Sequence, residues 1–329
     1  MGAFKIVLEI KRNVVNKLAT QKLLLLSTGG TIASVISEDG LTPGETGEDL
    51  LKMVGNLPYD ITVKDIMNLD SSNIQPEEWE KIAETIYKYR HDFDGIVVSH
   101  GTDTMAYTAS MMTFMMQNID IPVVFTGSQV PINVLLSDAP DNMKLAFAAA
   151  ASLQPGIYLA FDGKVMRGCR SVKVRTTAFN AFESVNFPPV AEVTSDGLEI
   201  KLPEQWQPRQ CILNTNIDTN VSLVKLFPGF DPRLLHAMAE NGCHGIVIEA
   251  YGLGGMTFIR RNVAAAIGEL IRKGIPVVAA SQCLYERSDL TKYEVGRQAL
   301  LEGAISARDM TSESAITKLM WGVGQGMDV

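Results

Sequence analysis

The chain has 329 residues, of which 46% are hydrophobic and 20% are charged, and it carries a formal net charge of −8. This acidic balance without a long basic run argues against a nucleic-acid surface, and no apolar run has the length of a membrane span. We therefore expect a soluble globular protein that is long enough for two domains.

The four cysteines form no CxxC pair, and no histidine lies at metal-ligand spacing from them: Cys169, Cys211, Cys243 and Cys283. This usage is typical of free thiols in a reducing compartment, and we predict no metal site. The N-terminus lacks the unbroken apolar stretch of a signal peptide. The sequence thus predicts a cytoplasmic protein that does not contact a membrane.

The chain divides into four segments by pattern. Residues 1–20 form an N-terminal extension, 21–200 a larger domain, 201–219 a linker rich in Pro and Gln, and 220–329 a smaller domain. Buried strands alternate with helices in both domains, so we predict an α/β fold. The larger domain should contain a mostly parallel sheet, and the smaller one a doubly wound, Rossmann-like sheet.

Small polar residues or glycines follow four predicted strands of the larger domain. In chain order they are Gly30 and Thr31, then Asp70 and Ser71, then Gly101, Thr102 and Asp103, and finally Ser128. The carboxyl ends of parallel strands share one edge of a sheet, where ligands bind in open α/β folds. A hydroxyl beside a carboxylate, as in Thr102 and Asp103, is a candidate catalytic or ligand-fixing pair.

Two nearby segments leave alternatives open. The Gly29-Gly30 turn could cradle a phosphate or be a plain strand-to-loop turn, although neither GxGxxG nor GxxxxGK[ST] spacing is present. Residues 35–49 are Gly-rich, acidic and without periodicity, which indicates a mobile loop that is either a lid or a simple surface loop.

The remaining elements follow hydrophobic periodicity and capping signals. Helices are predicted from Pro76, over 104–117, over 138–152, over 231–242, over 259–273 and over 312–321, with a hairpin across Asp162-Gly163 and strands over 221–227, 245–250 and 276–281. The basic stretch 167–175 is either a solvated, salt-bridged face or a segment that places Lys173 as a buried amine beside the acid pair.

Two longer motifs resemble a known family. Thr-Gly-Gly-Thr-Ile-Ala at 28–33 and His-Gly-Thr-Asp-Thr-Met-Ala-Tyr at 100–107 are similar to the two signatures of the bacterial-type L-asparaginases, in particular their cytoplasmic type I branch. Shorter matches occur at 70–72, 126–128, Lys173, Tyr251-Gly252 and 309–311. The resemblance covers nearly the whole chain from Lys22.

The resemblance implies hydrolysis of L-asparagine to L-aspartate and ammonia through a covalent acyl-threonine, with no metal or organic cofactor. By match, Thr31 is the nucleophile, and Thr102, Asp103 and Lys173 form the second catalytic group. Asp103 would also hold the substrate's α-ammonium. Ser71 would hold its α-carboxylate, and backbone N–H groups near Thr102 or Ser128 would hold the oxyanion. The expected substrate-binding set is Gly30, Asp70, Ser71, Gly101, Thr102, Asp103 and Ser128.

Two departures from the family pattern concern the activating tyrosine and the allosteric site. Most members carry a tyrosine in the lid loop, where Leu41 stands here, while Tyr293 matches a tyrosine that some members supply from the C-terminal domain. The allosteric asparagine site of some type I enzymes has an arginine in place of Glu249 and a threonine in place of Val172. We therefore expect Tyr293 to be the catalytic tyrosine, and we expect no such allosteric regulation.

Three rival functions share parts of this pattern. The amidase subunit of archaeal-type glutamyl-tRNA amidotransferase has both signatures, but it also has an extra N-terminal domain, whereas residues 1–20 alone precede the first strand here. A non-catalytic amino-acid sensor would keep the Asp103 and Ser71 contacts but give Thr31 and Lys173 no role. A nucleotide-dependent oxidoreductase lacks its glycine spacing.

The resemblance also implies an oligomer. We expect a homodimer or a dimer of dimers in which the C-terminal domain of the neighbouring subunit closes the site.

Overall fold

The computed structural model describes residues 21–37, 40–202 and 207–327, with the backbone alone for 35–37 and 40–43. The predicted N-terminal extension and residues 203–206 of the predicted linker lie outside the described residues. The chain forms two compact units. The first contains the residues up to Ser184 together with Pro188–Leu213, and the second contains Val185–Phe187 and the residues from Asn214 onwards.

The first unit contains fourteen strands and four helices within its described residues. The strands are β1 (Lys22–Gly29), β2 (Ser34–Ser37), β3 (Gly40–Pro43), β4 (Asp60–Leu69), β5 (Gly95–Ser99), β6 (Met116–Gln117), β7 (Pro122–Thr126), β8 (Gly156–Phe161), β9 (Lys164–Arg167), β10 (Ser171–Lys173), β11 (Phe182–Ser184), β12 (Ala191–Thr194), β13 (Gly197–Ile200) and β14 (Ile212–Leu213). The helices are α1 (Gly47–Val54), α2 (Pro76–Tyr89), α3 (Met105–Met115) and α4 (Ala139–Ser152).

The main sheet of this unit has eight strands in the order β13-β12-β9-β8-β7-β5-β1-β4. Strands β4, β1, β5, β7 and β8 are parallel, while β9, β12 and β13 pair in antiparallel fashion. Leu23–Leu26 and Ile96–Val98 are fully buried, as expected for parallel strands covered on both faces. The prediction of a mostly parallel sheet is confirmed.

The β8–β9 hairpin turns where the sequence predicted it. Asp162 and Gly163 have φ values of 47° and 73°. Both central residues of a type I′ turn need positive φ, which explains why an Asp-Gly pair stands there.

Helix α2 begins with Pro76 after Gln75, whose N–H donates to the Glu78 carboxylate at 2.9 Å. Helix α3 is buried on nearly all sides, and its methionines belong to the core. This helix ends at Met115, two residues before its predicted end, because Met116 and Gln117 pair with β14 instead.

Residues 35–49, which we predicted to be a mobile loop, contain regular secondary structure within the described residues. The backbone of β2 pairs with β3, and α1 begins at Gly47 after a capping box between Thr46 and Asp49. The Thr-Gly-Glu-Asp sequence before Leu50-Leu51 carries this capping signal.

The second unit has a four-stranded parallel sheet. Its strands are β15 (Val221–Lys225), β16 (Gly245–Ala250), β17 (Val277–Ser281) and β18 (Ile305–Ser306), and its helices are α5 (Arg233–Glu240), α6 (Val263–Arg272), α7 (Glu294–Leu301) and α8 (Ser312–Gly324). Its core packs strand residues such as Ile246 and Val277 against Leu235, Ile267 and Leu270 of the helices.

In the second unit, the sequence pattern misplaced the start of α6 and missed two elements. Helix α6 starts four residues later than predicted because Asn262 accepts the Ala265 N–H as its N-cap, and Ile259 is 82% exposed. Helix α7 and strand β18 were not predicted. Within the described part of the chain, no helix is long and apolar enough to cross a membrane.

Candidate active site

The turns after β1, β4 and β5 pack directly against one another. A Cβ placed on Gly30 would lie 2.4 Å from the Gly101 Cα, and a Cβ on Gly101 would lie 2.6 Å from the Ser71 Cβ. The turn after β7 joins them, since a Cβ on Gly127 would lie 2.3 Å from the His100 carbonyl oxygen. These glycines allow backbones to approach where a side chain would not fit. The four polar strand ends therefore meet at one edge of the sheet.

Lys173 joins a hydroxyl and a carboxylate at this edge. Its Nζ donates to the Thr102 Oγ1 at 2.7 Å and to the Asp103 Oδ1 at 2.6 Å. The Lys173 side chain is 17% exposed, whereas Asp103 is 60% exposed. Lys173 and Thr102 thus place an amine against a hydroxyl in the buried part of the site, and the exposed Asp103 carboxylate can bind a further cation. The other cation at the end of this segment, Arg175, pairs with Glu183 at 2.8 Å.

Ser71 ties the turn after β4 to the turn after β5. Its hydroxyl accepts the Asp103 N–H at 3.2 Å, and its carbonyl accepts the Thr104 hydroxyl at 2.7 Å. Asp70 is exposed, and its carboxylate accepts the Ser72 N–H at 2.8 Å. Asp70 therefore shapes the turn, while Ser71 reaches the Thr102–Asp103 segment.

Thr31 opens a short 3₁₀ turn, Thr31–Ala33, directly after Gly30. Within the described part of the chain its hydroxyl makes no hydrogen bond, and the residue is half-buried. The Ser34 hydroxyl donates to the Gly30 carbonyl at 3.0 Å and so fixes this turn. Thr31 consequently presents an uncommitted hydroxyl next to the contact between Gly30 and Gly101.

Ser128 is fully buried, and its hydroxyl donates to the Val130 carbonyl at 2.6 Å. The Gln129 and Val130 N–H groups donate to the Asp138 carboxylate at 3.0 and 3.1 Å. The N–H groups of the two residues after Ser128 are thus already occupied, whereas the Thr102 N–H donates to no group among the described residues.

Gln129 is a site residue that the sequence did not single out. Its Oε1 accepts the Thr102 hydroxyl at 3.3 Å, and its Nε2 donates to the Thr176 and Ala178 carbonyls at 3.0 and 3.2 Å. It stands directly after the Thr-Gly-Ser match at 126–128. No local pattern distinguishes it from an ordinary loop glutamine.

His100 lies beneath this edge and is fully buried. Its Nδ1 is 2.7 Å from the Gly101 carbonyl, and its Nε2 is 3.0 Å from the Thr108 hydroxyl. The same hydroxyl accepts the Trp79 indole N–H at 3.0 Å. Burial lowers the pKa of His100 to about 4, so the imidazole is neutral near pH 7.

Tyr293 belongs to the second unit, where it occupies the N-cap position of α7 and is 64% exposed. It lines a cleft of about 760 Å³ together with Tyr251, Phe227 and Phe258. The side chain of Leu41, at the position of the usual lid tyrosine, lies outside the described residues.

Glu249, at the position of the regulatory arginine, accepts the Ser312 hydroxyl at 2.5 Å and lies 3.9 Å from the Lys225 Nζ. Burial raises the pKa of the neighbouring Glu313, and Glu249 adds to this effect. Two carboxylates, Glu249 and Glu313, thus lie close together at this position, with Lys225 beside Glu249. The described residues contain no group of three or more His, Cys, Asp or Glu that could hold a metal ion.

Taken together, fold and site define a two-unit α/β protein with hydroxyl, lysine and carboxylate groups at the carboxyl edge of a parallel sheet. The sequence models of two domains match the chain, "Asparaginase, N-terminal" over residues 22–206 and "Glutaminase/Asparaginase C-terminal domain" over residues 220–329. The chain belongs to the asparaginase family, as the sequence resemblance predicted.

Individual relatives support the same family assignment. The L-asparaginase of Thermococcus kodakarensis is 43% identical over 311 residues, which cover 94% of each chain. A more distant relative, which forms part of the glutamyl-tRNA(Gln) amidotransferase of Methanosphaera stadtmanae, is 36% identical over 96% of this chain and 76% of that protein.

Solved structures show the same fold. The thermostable L-asparaginase from Thermococcus kodakarensis superimposes with a TM-score of 0.89, at 43% identity and over 93% of this chain and 94% of that one. L-asparaginase I from Vibrio cholerae gives a TM-score of 0.83 at 28% identity, over 94% of both chains.

Proposed function

We propose that this protein hydrolyses L-asparagine to L-aspartate and ammonia. The observation that carries the proposal is the pair of short hydrogen bonds from Lys173 to Thr102 and Asp103. Thr31 follows Gly30, whose backbone packs against Gly101. The similarity to L-asparaginases over nearly the whole chain supports the same substrate. No step of this chemistry calls for a metal or an organic cofactor.

Substrate recognition follows from the charges at the site. The exposed carboxylate of Asp103 would bind the α-ammonium of asparagine, and Ser71 with neighbouring N–H groups would bind its α-carboxylate. The ammonium of a bound substrate would then lie near Lys173. A lysine side chain can accept a proton only as the neutral amine.

The first chemical step forms an ester. The Thr31 Oγ attacks the side-chain amide carbon and gives up its proton, and the carbonyl oxygen becomes an oxyanion that the Thr102 N–H stabilises. The tetrahedral intermediate collapses when the C–N bond breaks, and the nitrogen takes a proton to leave as ammonia. Water then attacks the ester, aspartate departs, and Thr31 regains its proton.

Lys173 serves as the base in this scheme, with Asp103 orienting it and Thr102 relaying the proton. Tyr293 is proposed as the tyrosine that activates Thr31, on the strength of the sequence match. We further propose a cytoplasmic homodimer or dimer of dimers with domains at 21–200 and 220–329. A structural relative from Campylobacter jejuni is described as a probable cytoplasmic L-asparaginase.

The test is ammonia release from L-asparagine and from L-glutamine by the purified protein, beside Thr31→Val. Thr194→Val, at an exposed position in β12, is the matched control. We expect release from asparagine by the wild type and the control, and a loss of roughly a thousandfold or more in Thr31→Val, as for other removed nucleophiles. Binding of asparagine without turnover would favour the sensor instead. Ammonia transfer that needs a partner protein and tRNA would favour the amidotransferase.

A further inference from the structure

The peptide unit between Gly101 and Thr102 has one end occupied and the other open. Its carbonyl lies 2.7 Å from the His100 Nδ1. Its N–H, on Thr102, donates to no group among the described residues, although Thr102 is only 5% exposed. A trans peptide is planar with its carbonyl and N–H pointing in opposite directions. Fixing the carbonyl therefore fixes the direction of the N–H.

Trp79, Thr108, His100 and Gly101 form a buried series of hydrogen bonds. The position of each hydrogen atom in this series follows from the groups at its two ends. The Trp79 indole can only donate, so the Thr108 hydroxyl accepts from it and keeps its own hydrogen for the His100 Nε2. The Gly101 carbonyl can only accept, so the ring proton lies on Nδ1. All hydrogen bonds of this series thus point the same way: Trp79 donates to Thr108, Thr108 to His100, and His100 to Gly101.

Because residue 101 is a glycine, the peptide that follows it needs the hydrogen bond from His100 to keep its orientation. A Cβ at this position would collide with Ser71, so the turn requires a glycine. Glycine has wide backbone freedom and would let the following peptide rotate at little cost. The ring that restrains it is itself held, since His100 is fully buried and packs edge-on against Phe125 with ring centroids 6.2 Å apart.

We propose that His100 is a positioning residue that orients the Gly101–Thr102 peptide, so that the Thr102 N–H faces the oxyanion formed during amide hydrolysis. This inference rests on the proposed function. His100 does not act as an acid or base, because both ring nitrogens are engaged and the ring is sealed from the substrate. An oriented backbone donor accelerates the reaction because it requires no reorganisation when charge develops.

A pair of substitutions separates this role from simple packing. The amide of His100→Asn places a donor near the position of Nδ1, whereas His100→Leu fills the space without one. We expect His100→Leu to lower kcat about tenfold with KM changed less than about twofold, because the oxyanion exists only after substrate has bound. His100→Asn should recover the larger part of kcat. Equal losses in both variants, or no loss in His100→Leu, would overturn the proposal.

A second pair covers the possibility that His100→Leu does not fold. Thr108→Ser keeps the hydroxyl that sets the imidazole tautomer, and Thr108→Val removes it at similar volume. We expect a several-fold lower kcat in Thr108→Val and nearly wild-type kcat in Thr108→Ser. Equal kcat values in the two variants would contradict the proposal.

Nitrogen-15 spectra of histidine-labelled wild-type protein provide a readout that does not depend on turnover. The signals of His100, assigned by their absence in His100→Asn, should show a protonated Nδ1 and an unprotonated Nε2 near pH 7. A protonated Nε2 would overturn the inference even in an active enzyme. Absence of turnover in the wild type, with the expected tautomer present, would instead count against the proposed function alone.

Discussion

Lys173 makes two short hydrogen bonds to neighbouring residues of one turn, and the two partners have different surroundings. Thr102 is buried, whereas the Asp103 carboxylate is mostly exposed. The amine is thus placed between a hydroxyl that can relay a proton and a carboxylate that can bind substrate. A single side chain links the chemical part of the site to its recognition part.

Replacing Lys173 with Met should slow catalysis strongly without unfolding the protein. We expect kcat to fall by about 10² to 10⁴, the range of a lost general base. Stability should change little, because an ion pair with a mostly exposed partner contributes about 1 kcal/mol or less. Initial rates of ammonia release and thermal melting measure both quantities. Arg175→Met is the control, since it removes the neighbouring cation that pairs with Glu183. An equal loss of rate in Arg175→Met would contradict the assignment of Lys173 as the general base.

His100 should also make stability depend on pH. Its pKa in the folded protein is about 4, below the ordinary value of 6.5. Below pH 6.5 the unfolded chain binds a proton that the folded chain does not, so stability falls as the pH drops from 6.5 towards 4. The shift corresponds to about 3 kcal/mol.

Urea unfolding of wild type and His100→Asn at about pH 7 and pH 4.5 measures this contribution. The wild type should lose more free energy of unfolding than the variant between the two values, and the difference isolates His100 from the carboxylates. Identical losses in the two proteins would contradict this prediction, because they would show that His100 binds its proton as readily in the folded state as in the unfolded state.

At the scale of elements, the edge of the sheet was predictable because its strands are unbroken hydrophobic runs. Leu23–Leu26 and Ile96–Val98 show where the strands end, and hence which polar residues follow. The part that Gln129 plays in the site was not predictable, and neither was the role of His100, which opens the second signature. Their partners are fixed by tertiary contacts rather than by local spacing, as with the bond between Gln129 and Thr102. Strands β10 and β11 were missed because each has three residues.

The close approach of the turns gives a test with a matched control. Gly30 and Gly55 have similar φ values, 83° and 87°, but Gly30 faces Gly101 while Gly55 has no atom within 4 Å of an added Cβ. Both glycines combine positive φ with ψ near 180°, a region essentially restricted to glycine, so both alanine variants carry a strain of about 1–3 kcal/mol. Gly30→Ala must also displace the turn after β5, so we expect it alone to lose activity. Thermal melts with ammonia assays check this; equal activity in both would contradict the packing argument.

At the scale of the whole molecule, the two units carry different parts of the proposed chemistry. Thr31, Thr102, Asp103 and Lys173 lie in the first unit, and Tyr293 lies in the second. The sequence predicted the parallel sheet of each unit. It could not assign Val185–Phe187 to the second unit, since Asn186 is held there by hydrogen bonds to the distant Glu286 and Asp309 backbone.

Tyr293→Phe tests whether the second unit takes part in catalysis. Loss of the phenolic hydroxyl should lower kcat about a hundredfold and leave the melting temperature unchanged, because the side chain is largely exposed. Tyr285→Phe, at another exposed tyrosine of the same unit, is the control. A wild-type rate in Tyr293→Phe would remove Tyr293 from the mechanism.

The covalent role of Thr31 is the central claim, and mass spectrometry of the enzyme quenched in acid during turnover of L-asparagine tests it most directly. We predict that the peptide containing Thr31 carries an aspartyl group in ester linkage, and that Thr31→Val carries none. An aspartyl group on Thr102, or rapid turnover with no modified peptide under conditions that preserve esters, would contradict the account.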